Sequence, residues 1–433
     1  MTELHLQEGG PELVCHLREG LAERLVEAGV VSVVPLGVGR WELRANQKVG
    51  VIRIDNVTVW VKPKVSISKL LWLLGWSSKA FFTAPGPVEL GEAEELVPAL
   101  AEAFVAQSER ALQAGLLQGY REIEGTENVL RGRLRIGDQL RKRYGLPVPL
   151  LVRFDDHLVD IPENQILKAA VNKLLMLSGV AGGVRDRLRT LRGVLVDVGE
   201  LPPRGPLPTW QRSRLNARHH DALALAEIIL GNGSVEHEPG RLRVDGFLVD
   251  LAKVFENFVT ATLGRALEAI AGRCSAQDPF TLDEDGDVAI RPDLVWRISD
   301  RPAAAIDAKY KAEKPYGFPQ ADLYQALAYA TAYGLHEAHL VYAKGNETAR
   351  AWTIRGHRVR ITAHTLDLEQ PPESILQQID QLAALIASIS RASRLANSRP
   401  APAFFRTAVG GGLVTLSLVA GPLLSAPFGE KAL

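Results

Sequence analysis

Apolar and polar residues alternate over four short segments near the start of the chain, at residues 30–36, 39–45, 50–54 and 57–64. A period of two is typical of strands that bury one face, and the glycine and asparagine residues between the segments favour turns. An apolar run at residues 70–76 then fits a buried helix. We therefore predict a β-rich module over residues 1–95.

The apolar period changes after residue 95 to that of a helix, with Leu96, Leu100, Phe104 and Leu112 on one face. Residues 96–235 are therefore predicted to form a mainly helical central region, interrupted by a proline-rich linker at residues 201–208. Helical and strand patterns mix over residues 240–395, which end in an amphipathic helix at residues 374–390. The chain is predicted to be a multidomain protein of α+β or α/β class.

One helix start within the central region has a recognisable signature. Asp160 and Glu163 have the spacing of a capping box, and Pro162 suits the first turn of a helix. We predict that a helix begins there and buries Ile166 and Leu167.

Composition limits the classes of function. The chain has 433 residues, with 50 Lys plus Arg against 50 Asp plus Glu. This neutrality argues against strong independent DNA binding and fits a subunit that a partner delivers to DNA. The two cysteines, Cys15 and Cys274, exclude a disulfide framework and a cysteine metal cluster, so we expect a reducing, cytoplasmic location.

Residues 396–433 are predicted to be an apolar, flexible tail. The segment from Thr407 to Gly429 carries no charge and is long enough for a membrane span. A run of three glycines at residues 410–412, together with Pro422 and Pro427, interrupts it. We therefore expect no membrane contact.

Two carboxylates and an amine fall on what the pattern predicts to be neighbouring strands. Asp293 lies in an apolar run over residues 287–298, and Asp307 and Lys309 share one face of a returning strand. Carboxylate oxygens suit Mg²⁺ or Mn²⁺, and the amine can orient a water molecule or offset developing negative charge. Asp293 and Asp307 are candidate metal ligands and Lys309 a catalytic candidate; a solvated hairpin with a surface ion pair is the alternative.

Two predicted helices flank this pair of strands. Glu256 lies at the edge of an apolar stripe formed by Leu251, Val254, Phe255, Phe258 and Leu263, so it is either a further metal ligand or a solvated side chain. Downstream, Gln325 and Tyr329 share a helix face at i and i+4. They could hold a lysine or a phosphate, or be structural.

A basic segment precedes these motifs. It contains Arg131, Arg133, Arg135, Arg141, Lys142 and Arg143, with Asp138 as the counter-charge within it. These residues are candidates for DNA binding through phosphate contacts. Solvated arginines, or salt bridges to the nearby acidic segments, are the alternative.

Two other kinds of site find no support. The sequence contains no Gly-Lys dipeptide, which a phosphate-binding P-loop requires, so the chain is not expected to bind a nucleotide itself. His336 and His339 are spaced at i and i+3 rather than i and i+4, which argues against a helical zinc motif. We expect both to lie on the surface.

The motif order resembles that of the PD-(D/E)xK nucleases, namely a helix with Glu256, a strand with Asp293, a strand with Asp307-Ala-Lys309 and a helix with Gln325-x-x-x-Tyr329. Further segments resemble the central region of the McrC family, the nuclease subunits of McrBC modified-cytosine restriction systems. They are residues 120–125, 130–135, 153–156 and 160–168. Together the likeness spans about residues 50–345.

This resemblance implies a restriction-endonuclease-like domain over residues 240–395 and an Mg²⁺-dependent DNA endonuclease. It also implies that the N-terminal module docks onto a hexameric McrB-like AAA+ GTPase and stimulates it, and that the substrate is double-stranded DNA containing 5-methylcytosine. Asp293, Asp307 and Lys309 would be catalytic, supported by Glu256, Gln325 and Tyr329. The alternatives are a stand-alone repair or processing nuclease and a GTPase-activating adaptor whose nuclease site is vestigial.

Overall fold

The protein is described by a computed structural model over residues 2–77, 95–144, 147–202, 205–231, 245–310, 319–343, 349–356 and 359–398. The chain divides into one unit of residues 1–391 and a second unit of residues 392–433. The described part of the second unit is the end of a helix. The predicted apolar tail lies outside the described residues from residue 399 onward.

The N-terminal segment is rich in strands, and all four predicted strands are confirmed. Its elements are β1 (Thr2–Gln7), β2 (Leu13–His16), α1 (Glu19–Glu27), β3 (Val31–Gly37), β4 (Arg40–Ala45), β5 (Lys48–Ile54) and β6 (Val57–Lys62). One sheet has the order β2-β4-β3, and in another β1 pairs with β6 and β6 with β5. The apolar run that follows forms α2 (Ile67–Ser77), as predicted.

The central region is mainly helical but also contains a three-stranded sheet that the pattern did not predict. Its elements are α3 (Leu96–Leu112), β7 (Gly119–Glu127), β8 (Arg133–Leu134), α4 (Ile136–Arg143), β9 (Leu150–Leu158), α5 (Pro162–Met176), α6 (Gly182–Val194), a 3-10 turn (Ala217–His219) and α7 (His220–Gly231). The sheet has the order β7-β9-β8. Because β7 has no fully buried residue, it lacks the apolar alternation that marks a strand.

Helix α5 begins where predicted, but the predicted capping box is wrong. Pro162 is its first residue, Ile161 is the N-cap, and no side chain caps the helix. The Asp160 carboxylate instead accepts hydrogen bonds from Arg121, Gln165 and the backbone N–H of Gly199. Local spacing assigns this carboxylate to the helix cap, but it binds other partners, two of which lie 39 residues away in the sequence. Ile166 and Leu167 are buried, as expected.

A six-stranded mixed sheet forms the last part of the fold. The elements from residue 245 are β10 (Asp245–Asp250), α8 (Leu251–Ile270), β11 (Arg273–Ala276), β12 (Phe280–Thr281), β13 (Ala289–Ile290), β14 (Leu294–Ile298), β15 (Arg301–Lys309), α9 (Gln320–Ala332), β16 (Glu337–Ala343), β17 (Arg350–Thr353), β18 (Arg360–Leu366) and α10 (Pro372–Ser398). The sheet order is β11-β14-β15-β16-β18-β17, with β15, β16 and β18 parallel. Strands β12 and β13 pair with each other, and β10 pairs with β5.

Alternate residues of β15 face different helices. Ala304, Ile306 and Ala308 belong to the core cluster that includes α8 and α10, whereas Ala305 belongs to the cluster that includes α9. Since side chains alternate along a strand, Asp307 and Lys309 share the α9 side. Asp307 and Lys309 therefore face a helix that carries polar side chains.

Strand β10 connects the six-stranded sheet region to the N-terminal sheet. It pairs antiparallel with β5 and leads directly into α8. At the crossing, Gly50 has φ +130°, and a Cβ atom there would lie 2.1 Å from the Phe247 carbonyl oxygen. This close approach of two backbones therefore requires glycine. The N-terminal sheet consequently fixes where the helix that bears Glu256 begins.

Among the described residues, no helix is both long enough and apolar enough to cross a membrane.

Candidate functional site

The β14–β15 hairpin brings the two predicted aspartates together. Leu294 pairs with Ile306, so Asp293, one residue earlier, lies beside Asp307. The tight turn consists of Ser299 and Asp300, which both have positive φ, as a two-residue hairpin loop requires. The strand predicted over residues 287–298 is divided: Pro292 lies between β13 and β14, because proline cannot donate to a ladder.

Both aspartates are buried and tied to the strand ends. Asp293 is 8% exposed and Asp307 is 3% exposed. Asp293 Oδ2 accepts a hydrogen bond from the backbone N–H of Ala308 at 2.8 Å. Asp307 Oδ2 forms an ion pair with Lys309 Nζ at 2.5 Å but accepts no hydrogen bond of regular geometry. A buried carboxylate oxygen is thus left without a full set of donors.

Helix α9 holds the amine of Lys309 through a chain of polar contacts. Lys309 Nζ donates to Gln325 Oε1 at 2.8 Å, and Gln325 Nε2 donates to the Tyr329 hydroxyl at 2.6 Å. That hydroxyl donates in turn to the Arg291 carbonyl oxygen at 3.2 Å. Gln325 and Tyr329 therefore share one helix face, as predicted, and Gln325 contacts the lysine.

Glu256 reaches the aspartates from the second turn of α8. The helix begins at a cap in which Asp250 Oδ1 accepts from the N–H groups of Ala252 and Lys253. All five residues of the predicted apolar stripe are buried, which fixes the opposite helix face. Glu256 Oε1 accepts from Gln277 Nε2 at 2.5 Å, and the same nitrogen donates to Asp293 Oδ1 at 2.8 Å.

Gln277 and Asp322 are site residues that the sequence analysis missed. Gln277 follows β11, and nothing in its short local pattern indicates a function. Asp322, in the first turn of α9, is 5% exposed, accepts from the Tyr342 hydroxyl at 2.9 Å and acts electrostatically on Asp307. Both residues join the site through strand pairing and helix packing, which no spacing rule encodes.

The crowded carboxylates are hard to ionise together. Burial raises the pKa of Asp293, Asp307 and Glu256 above their usual values. The Asp293 charge further raises the pKa of Asp307, while the nearby Lys309 ammonium lowers it. Three acidic groups next to one amine form a centre with excess negative charge, which favours binding of a cation.

The donor set fits a hard divalent ion that retains water. Asp293 and Asp307 supply oxygen atoms alone, and one buried oxygen of Asp307 has an ion pair but no regular hydrogen bond. Within the described ranges, no group of three or more His, Cys, Asp or Glu side chains is arranged to hold a metal ion. Two carboxylates suit Mg²⁺, which is commonly held by one or two carboxylates plus waters. Glu256 is therefore near the aspartates without forming a three-carboxylate cage.

The predicted DNA-binding residues lie in β8, in α4 and in the loop residues around β8, and those with described side chains fall into two groups. Arg131 pairs with Asp156 at 2.7 Å, and Arg135 pairs with Glu124 at 2.8 Å and with Asp138. The remaining residues, Arg133, Arg141 and Lys142, are exposed and form no ion pair with a described residue. The side chain of Arg143 lies outside the described residues. The salt-bridge alternative thus holds for part of the segment.

Of the two histidines expected on the surface, His339 is buried, so the prediction is wrong for this residue. Its side chain is 1% exposed, and its Nδ1 lies 3.1 Å from Nε2 of His364 on β18. Burial lowers the pKa of both rings, to about 4 for His364. The correction arises because His339 is in a central parallel strand, where both faces are covered.

Comparison with known proteins gives a family match and structural neighbours. A protein-family model described as "McrBC 5-methylcytosine restriction system component" matches residues 43–343. No curated protein matches. A chain from the refined half-complex of a tetradecameric assembly of Thermococcus gammatolerans McrB AAA+ hexamers with bound McrC is 18% identical, with a TM-score of 0.54. The match covers 88% of this chain and 99% of that one, and it shows a similar fold.

A second neighbour comes from the cryo-EM structure of the Thermococcus gammatolerans McrBC complex. It is 20% identical over 61% of this chain and 88% of that chain, and its TM-score of 0.40 is too low to define a shared fold. The family match covers more than half of the 433 residues and confirms the resemblance to McrBC restriction systems that the central segments indicate. The chain therefore belongs to the family of McrBC 5-methylcytosine restriction system components.

Proposed function

We propose that this chain is the Mg²⁺-dependent DNA endonuclease subunit of a modification-dependent restriction system. The observation that carries the proposal is the grouping of the buried Asp293 and Asp307 with Lys309, in which two carboxylates and an ammonium meet on neighbouring strands. The six-stranded sheet, with α8 and α9 against it, would then be the PD-(D/E)xK nuclease core.

Each residue of the centre has a distinct task in this proposal. A bound Mg²⁺ would supply a Lewis acid and a water of lowered pKa. The Asp293 and Asp307 carboxylates would hold the ion from neighbouring strands. Lys309 orients the attacking water and offsets the negative charge that develops on the phosphate.

Gln325 and Tyr329 support the lysine. Lys309 Nζ has Asp307 on one side and the Gln325 amide oxygen on the other. The hydroxyl of Tyr329 fixes the orientation of that amide, because it accepts from Nε2 and leaves the oxygen facing the lysine. A lysine held from two sides loses little conformational freedom when the substrate binds.

We infer that a GTP-hydrolysing AAA+ partner controls this nuclease and that the chain stimulates the partner's turnover. The sequence lacks a P-loop, so energy for translocation would come from another subunit. The neutral net charge fits a nuclease that its partner brings to DNA containing 5-methylcytosine. The solved complex of McrB AAA+ hexamers with McrC has a chain of similar fold, which supports this division of labour.

The test uses the full chain, an McrB-like GTPase, GTP, Mg²⁺ and a plasmid methylated at cytosine. Asp307→Asn should abolish cleavage while GTPase stimulation persists. Asp300→Asn, an exposed aspartate in the turn of the same hairpin, is the matched control and should cleave normally. Cleavage that survives Asp307→Asn overturns the proposed site, and cleavage by the chain alone, without partner or GTP, favours a stand-alone nuclease.

A further inference from the structure

Gln277 has an unusual backbone conformation at the edge of the nuclease centre. It follows β11, and its N–H donates to the carbonyl oxygen of Asp293 at 3.0 Å. Its φ is +50°, in the left-handed region that residues with a side chain seldom adopt. Such conformations are energetically unfavourable and are concentrated at functional sites. Here the conformation accompanies a side chain that points at two acidic residues.

One nitrogen of Gln277 links these two acidic side chains. Nε2 lies 2.5 Å from Glu256 Oε1 and 2.8 Å from Asp293 Oδ1, so both of its N–H groups are used. The amide thus occupies the place that a cation shared by the two side chains would take. Because Mg²⁺ binds oxygen at about 2.0–2.1 Å, the ion and the amide nitrogen cannot both lie between the same two oxygens.

The same contact occupies one carboxylate oxygen on each of the two acidic side chains. The second carboxylate oxygen of Asp293, Oδ2, is held by the backbone at Ala308. Its other oxygen, Oδ1, is the one that Gln277 contacts. Within the described part of the chain, no three acidic or histidine side chains are arranged around one ion. Removing the amide would free both Oδ1 of Asp293 and Oε1 of Glu256.

We propose that the side-chain amide of Gln277 is a gate for metal binding, which must leave Glu256 and Asp293 before Glu256 can join Asp293 and Asp307 around a divalent ion. This inference rests on the proposed function. In the resting protein the gate keeps metal affinity low, so the nuclease centre stays incomplete until the gate opens. A purely structural role for Gln277 predicts the opposite sign, because loss of a supporting hydrogen bond would weaken metal binding.

The test is a Mn²⁺ titration of the full chain without DNA or nucleotide. Binding is measured by calorimetry and by the electron paramagnetic resonance signal of free Mn²⁺. Gln277→Gly removes the amide and tolerates the positive φ. It should bind Mn²⁺ about tenfold more tightly, since a hydrogen bond to a charged group no longer competes with the ion. In the Gln277→Gly background, Glu256→Gln should return the affinity to that of the unmodified chain.

Ser299→Gly is the matched control, because Ser299 also has a positive φ but lies in the exposed hairpin turn. It relieves the same kind of backbone strain and should leave Mn²⁺ affinity unchanged. If Gln277→Gly folds poorly, as judged by circular dichroism, Gln277→Asn replaces it. Its amide is one methylene shorter and cannot bridge both acidic side chains, so its affinity should also rise.

Equal or weaker Mn²⁺ binding by folded Gln277→Gly overturns the gate. A different outcome would refute the metal centre on which the proposed function rests. If neither the unmodified chain nor Gln277→Gly binds Mn²⁺ more tightly than Asp307→Asn, the metal centre itself is refuted. Tighter binding by Gln277→Gly that does not depend on Glu256 also contradicts the gate, since Glu256 is the ligand that it is proposed to release.

Discussion

The Lys309 ammonium donates a hydrogen bond of 2.8 Å to the side-chain oxygen of Gln325, a residue on the helix that follows the lysine's strand. Gln325 in turn depends on the Tyr329 hydroxyl for its orientation. Beside its ion pair with Asp307, the amine is therefore positioned by two residues that are not among the proposed metal ligands.

Replacing Gln325 by leucine should lower DNA cleavage about 10- to 100-fold, as is usual when a residue that orients a catalytic group is lost. The physical reason is that Lys309 keeps its charge and its contact with Asp307 but loses its second anchor. Cleavage rates under single-turnover conditions would measure the loss. Gln320→Leu, an exposed change at the start of the same helix, is the control and should behave like the unmodified chain.

Gln47 of the N-terminal segment contacts the start of α8 and the residue that follows β15, and both of these elements carry site residues. Its side chain donates to the Tyr310 carbonyl oxygen at 2.7 Å, directly after Lys309, and its own carbonyl accepts from the N–H of Leu251 at 2.9 Å. Gln47→Ala removes the first contact alone. We expect a loss of stability of about 1 kcal/mol and a clear fall in cleavage, with GTPase stimulation retained.

The control for this prediction is Asn46→Ala. Asn46 Nδ2 donates to the Gly29 carbonyl oxygen at 3.2 Å, so the change also removes one side-chain to backbone hydrogen bond, but within the N-terminal segment. Urea unfolding should give a similar loss of stability for both variants. Equal cleavage by the two variants would contradict a role for Gln47 in positioning the site.

The buried histidine pair makes the fold sensitive to acid. Burial lowers the pKa of His364 to about 4, below the unfolded value of about 6.5. Between these values the unfolded chain binds the proton more readily, so stability should fall as pH drops through this window, by about 1.4 kcal/mol per pH unit for such a group. Urea unfolding at pH 7 and pH 5 measures the difference.

In His364→Gln this acid-induced loss should shrink, because position 364 no longer titrates. His16→Gln, at an exposed position on β2, is the control and should keep the full pH dependence. An unchanged pH slope in His364→Gln would show that the acid sensitivity arises elsewhere.

The basic segment should separate into residues that bind polyanions and residues that stabilise the small sheet. Arg133→Ala and Lys142→Ala should weaken DNA binding and reduce its salt dependence, since each removes an exposed cation that has no ion pair among the described residues. Arg131→Ala should instead lower thermal stability, because Arg131 pairs with Asp156 and lies 4.2 Å over the Phe154 ring. Fluorescence anisotropy at two salt concentrations measures DNA binding, and a melting curve measures thermal stability. An equal loss of DNA binding in all three variants would contradict the division into two kinds of residue.

Sequence patterns anticipated the elements that bury an apolar face, because burial imposes a regular spacing. The N-terminal strands and the stripe of α8 follow this rule. Strand β7 was not predicted by this rule, since most of its residues are exposed and polar. Asp160 shows a second limit of local patterns. Its spacing suits a helix cap, but its carboxylate accepts hydrogen bonds from Arg121 and Gly199, which are distant in the sequence.

The sequence by itself determined which residues are candidates for the chemistry. Asp293, Asp307 and Lys309 lie within one hairpin and Gln325 and Tyr329 within one helix turn, so short-range geometry sufficed to group each set. Tertiary structure alone decided how Lys309 meets Gln325, how Gln277 comes to stand between Glu256 and Asp293, and how Gln47 contacts both Leu251 and Tyr310. These contacts join residues far apart in the chain, and they depend on strand order and helix packing, which local periodicity does not specify.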